Sequence, residues 1–64
     1  MPIPAAFRHA PTPLWIGKCV WVRWGGQFHL GTVALFGVSR GGQERVLVQL
    51  GAVWRWFAPA EVRG

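Results

Sequence analysis

Two short stretches of this chain set indole rings beside guanidinium groups: Trp21-Val22-Arg23-Trp24 and Trp54-Arg55-Trp56. Aromatic rings stack on nucleobases and guanidinium groups contact phosphate, so this mixture suits nucleic acid held by charge and stacking. The same side chains also anchor protein interfaces. They would serve a module that self-assembles or docks on one partner through the Trp-rich face. Trp21, Arg23, Trp24, His29, Arg45 and Arg55 are the candidate contact residues for either kind of partner. His29 reads first as a strand histidine with a satisfied hydrogen bond. Lys18, Arg40, Arg45 and Arg63 read singly as solvated charges.

Enzymatic constellations are nearly absent. The chain has no aspartate, and its two glutamates, Glu44 and Glu61, fall beside a loop and in a terminal turn. Neither position favours an acid–base pair, and Thr32 and Ser39 have no histidine or lysine at triad spacing. The single cysteine, Cys19, precludes an intramolecular disulfide, and with His9 and His29 it is too little for a Cys/His metal cluster. Gly25-Gly26 and Gly41-Gly42 lack the strand–loop–helix setting of a phosphate cradle and read as turns. The expectation is a module with no catalytic residues, no cofactor and no metal.

Seven Lys and Arg residues against two acidic ones give a net charge of +5, which favours polyanionic partners. No apolar run approaches the ~18 residues of a membrane span. The N-terminus lacks the continuous apolar stretch of a signal peptide. Small secreted domains rely on disulfides, so one unpaired cysteine points to a cytoplasmic protein.

The elements that must position these residues are strands. Residues 1–14 hold four of the five prolines and read as a disordered, extended tail. This leaves residues 15–64 for one domain. Lys18–Trp24 alternates, with Val20, Val22 and Trp24 on one face and Cys19, Trp21 and Arg23 on the other. Gly25-Gly26 then makes a hairpin turn. In a second strand, Phe28–Gly37, the period sets Phe28, Leu30, Thr32, Ala34 and Phe36 opposite His29, Val33 and Leu35, with Gly31 marking a bend or bulge. Glu44–Leu50 turns Val46, Val48 and Leu50 inward, and Gly51-Ala52 is a tight turn. Val53–Phe57 is ambiguous in phase. Arg55 argues for an exposed face, which puts Trp54 and Trp56 in the core, the commoner fate of large aromatics, unless a bulge reverses it. Ala58-Pro59-Ala60-Glu61 fits a 3₁₀ turn and Val62-Arg63 a closing strand. Strand–turn units at roughly ten-residue spacing, with no helical period, give an all-β fold: one small SH3-like (Tudor-like) barrel of about five antiparallel strands. A chain this short buries only about 60% of its extended surface, so a homo-oligomer is a live expectation.

Within that pattern, Leu14-Trp15-x-Gly17, Val20-x-x-Arg23-Trp24, Leu30-Gly31-Thr32-Val33 and Leu47-Val48-Gln49 resemble a Tudor domain of the kind found in Polycomb-like chromatin proteins. The resemblance implies an aromatic cage for methylated lysine, a cation held on ring faces. Trp24 matches a cage tryptophan. His29 stands where the family has tyrosine and Leu50 where it has phenylalanine, while Gly51-Ala52 replaces an acidic loop. A second resemblance is to the plasmid-encoded type-B dihydrofolate reductases, short chains with an N-terminal tail and an SH3-like barrel that work as homotetramers around a central pore. Trp54-Arg55-Trp56-Phe57 stands in place of that family's Val-Gln-Ile-Tyr, without its glutamine and tyrosine.

Overall fold

A computed structural model of the chain describes residues 14–64. The expected tail therefore lies outside the described residues, apart from Leu14. Five strands follow in chain order: β1 (Cys19–Trp24), β2 (Gln27–Val38), β3 (Glu44–Leu50), β4 (Val53–Phe57) and β5 (Val62–Arg63). A 3₁₀ turn, Pro59–Glu61, separates the last two. All pairings are antiparallel, and the strands form one sheet in the order β4-β3-β2-β1-β5. This is the all-β fold of five antiparallel strands expected from the strand–turn spacing, with the short β5 returning to pair with β1.

The core explains where the large rings go. Its buried members are Leu14, Val20, Val22, Val33, Phe36, Val46, Val48 and Phe57. Five of these eight are valines, and those five are its most deeply buried side chains. A core assembled from β-branched residues on close strands is dense but thin. None of the five tryptophans is buried in it. Trp24 comes nearest, packed against the core from one end together with Leu50 and Val62.

Leu14 is only 3% exposed, so it packs with the core and not apart from it as part of a tail. Its side chain is an apolar anchor, and the backbone just after it is tied to β2: the Gly17 amide donates to the Val33 carbonyl (2.8 Å), and the Val33 amide donates to the Lys18 carbonyl (2.9 Å).

Two strands depart from simple alternation. The register of β2 against β3 shifts between Val33 and Leu35. This bulge at Ala34 lets Val33 and Phe36 both face inward, although an unbroken period of two would place them on opposite faces. Gly31 is not the bulge. A Cβ there would lie 2.5 Å from Val48 Cγ1 and 2.9 Å from the Gln49 carbonyl oxygen, so glycine is needed for the close crossing of β3. In β4 only Phe57 is buried. Phe57 pairs with the inward Val46, which fixes the phase: Arg55 shares the inner side, while Trp54 and Trp56 point outward, 56% and 47% exposed. The expectation of a buried Trp54 and Trp56 is thus corrected. β4 is an edge strand, and the inward Phe57 sets its phase so that Trp54 and Trp56 take the other side.

Candidate nucleic-acid interface

Paired residues on neighbouring strands share a face, so the register defines the outer surface row by row. One row runs Arg63–Trp21–Leu30 across β5, β1 and β2. The next places Arg23 opposite Phe28. Trp21 is 49% exposed, Phe28 is exposed as well, and Arg23 and Arg63 are both open to solvent. An exposed indole therefore stands between a guanidinium directly across the ladder and another two residues along its own strand. Directly opposed Cβ atoms lie about 4.5–5.5 Å apart, within easy reach for such long side chains. The strip sets one exposed ring plane beside two exposed guanidinium groups.

The other candidates lie elsewhere. Trp24, His29 and Arg55 gather at one end of the inner side. The Trp24 and His29 rings are tilted at 55° with centroids 5.6 Å apart, and His29 Nε2 donates to the Trp24 carbonyl oxygen at 3.2 Å. The Arg55 guanidinium lies over the Trp24 ring, 4.9 Å from its centroid. Because β4 and β1 are not ladder neighbours, this contact shows how far the sheet has curled. It also places the chain's own cation on the ring face that a quaternary ammonium would use in an aromatic cage. Arg45 is on the outer side near the far end of β3, opposite Gly37. Its guanidinium donates to the Gln43 side-chain oxygen (2.6 Å) and the Glu44 carbonyl (2.9 Å), which directs it toward its own loop.

The six sequence candidates thus divide into Trp21 with Arg23, Trp24 with His29 and Arg55, and Arg45 apart. Sequence reasoning did not group Phe28 and Arg63 with Trp21. The signal for Phe28 was available, since a Gly25-Gly26 hairpin fixes which residue faces Arg23. The signal for Arg63 was not, because its place depends on a pairing about forty residues away. A second cation–π contact, Lys18 Nζ over the Trp15 ring at 4.4 Å, belongs to the turn before β1.

Cys19 is exposed on the outer side, paired with Thr32. Among the described residues, no three His, Cys, Asp or Glu side chains converge on a common point, and no helix is long and apolar enough to cross a membrane. No protein-family model, curated protein or solved structure matches this chain.

Proposed function

We propose that the protein is a small non-catalytic binding module that contacts nucleic acid through the β5–β1–β2 strip. One observation carries the reading: half-exposed Trp21 is flanked by Arg63 across the ladder and by Arg23 along the strand, with the Phe28 ring beside them. Leaving an indole in water among like charges is unfavourable unless a ligand covers it. A nucleic-acid strand fits both halves of that surface, base on ring and phosphate on guanidinium. A second protein copy fits it poorly, since it would bring the same two cations against these. The net charge of +5 raises the local concentration of any polyanion around the module. A cytoplasmic setting accompanies this reading, because the single cysteine provides no intramolecular staple.

The test is a titration of short single-stranded and duplex DNA and RNA at low salt, followed by anisotropy of the labelled strand. Two phosphate contacts per copy predict a slope of log K on log[salt] near −1.8 for duplex, twice the ~0.9 of one contact. The absence of binding at tens of micromolar to any of the four would remove the proposal.

A further inference from the structure

We infer that the β2–β3–β4 half of the outer face is a self-association surface whose occupant is a second copy of this chain. This does not depend on nucleic-acid binding. Two rows define the surface: Leu35–Leu47–Trp56, and Gln49–Trp54 beside Thr32. Every one of these side chains is uncharged. Arg45, at the margin, is turned to Gln43 and Glu44.

Charge identifies the occupant. Each copy carries +5, so two copies repel unless they meet where neither presents a cation. This half comes nearest to that: its two rows are uncharged, with Arg45 at the border. A polyanion gains little there, because the guanidinium that borders the rings, Arg45, is bonded to its own loop.

Shape points the same way. Trp56 packs on bare backbone: a Cβ on Gly37 would lie 2.8 and 2.9 Å from its ring carbons, so the ring occupies space that a side chain there would need. Beside it is an open groove of about 380 Å³ lined by Val38, Ser39, Arg45 and Trp56. Trp54, two residues away on the same face, projects as a knob. A knob and a groove on one surface are self-complementary under a two-fold axis, the commonest symmetry of homodimers. Packing by faces also suits the charges better than pairing two β4 edges, which would set Arg55 against its own copy.

Area sets the strength. A fully buried tryptophan removes roughly 150–250 Å² from water, so Trp54 and Trp56 at half exposure offer roughly 200 Å² together. With Leu35, Leu47, Val38 and Gln49 the pair of copies buries on the order of 800–1,000 Å², which is the size of a transient, concentration-dependent dimer.

Sedimentation equilibrium from low micromolar to millimolar protein, without nucleic acid, tests this. The weight-average mass should climb from 7.1 kDa toward twice that value. Trp54→Gln should move the midpoint up about ten-fold, as loss of an interface anchor does. Gln49→Lys, which puts a cation on the neutral rows without removing a ring, should do the same. Trp21→Ala should leave the midpoint in place. Circular dichroism of each variant verifies the fold. A single 7.1 kDa species throughout the range overturns the inference, whether the indoles are bare or covered by residues 1–13. Wild-type association in a folded Trp54→Gln or Gln49→Lys variant, or loss of association in Trp21→Ala, overturns it too.

Discussion

The outer surface of this barrel divides along β2. On one side Trp21 and Phe28 stand among Arg23 and Arg63; on the other Trp54 and Trp56 stand among leucines and a glutamine. Both halves exist for the same reason. A core of five valines, one leucine and two phenylalanines fills the interior, and the phase of β1 and β4 leaves Trp21, Trp54 and Trp56 on the outside. What differs is the neighbouring charge. Guanidinium groups beside a ring repel a second copy and attract phosphate, whereas a neutral neighbourhood does neither. The lesson is that an exposed tryptophan alone says little about its partner, and that the residues opposite it in the ladder say more.

The largest effect should come from a change that removes both halves together. Gly31→Val drives a side chain into Val48 and the Gln49 carbonyl, at a cost of about 3 kcal/mol or more. A domain this small holds little more than that in total, so chemical denaturation should find the variant largely unfolded. Next, Trp21→Ala should weaken oligonucleotide binding by about 1–3 kcal/mol, roughly five-fold to 150-fold, with the stacking plane gone; Trp54→Ala should leave it unchanged in the same anisotropy titration. If the two variants behave alike, the division between the halves is wrong. Arg23→Gln should act more mildly, reducing the salt slope by about 0.9. Smallest, Arg55→Gln removes the cation over Trp24 and should lower the denaturant midpoint by the equivalent of about 0.5–1 kcal/mol, the worth of an exposed cation–π contact. It should leave binding and association as they are.

Much of this arrangement is legible in the residues. β1 and β3 alternate cleanly, and each valine placed inside from the period is inside. Trp21 and Arg23 are outside for the same reason. β2 is less readable, because a bulge at Ala34 leaves no mark on the pattern of residue types and reverses the side on which Phe36 faces. β4 misleads through the rule that large aromatics are buried. That rule presumes a core deep enough to take them, and its depth depends on which residues the other strands supply. The site was readable where it follows from neighbours in sequence and unreadable where it depends on closure. Trp24, His29 and Arg55 meet only because the sheet curls, and Arg63 reaches Trp21 only because β5 returns to β1.

Residue 37 gives a further view of the same surface. With no side chain of its own, Gly37 leaves a bare patch of peptide on which the Trp56 ring is parked. Such a ring loses few torsional states when something lands on it, since contacts within its own molecule already restrict them. A methyl group at this position would evict the indole and convert a rigid platform into a swinging one. Whatever settles there would then bear the cost of stilling it, and a faster departure would be the first sign.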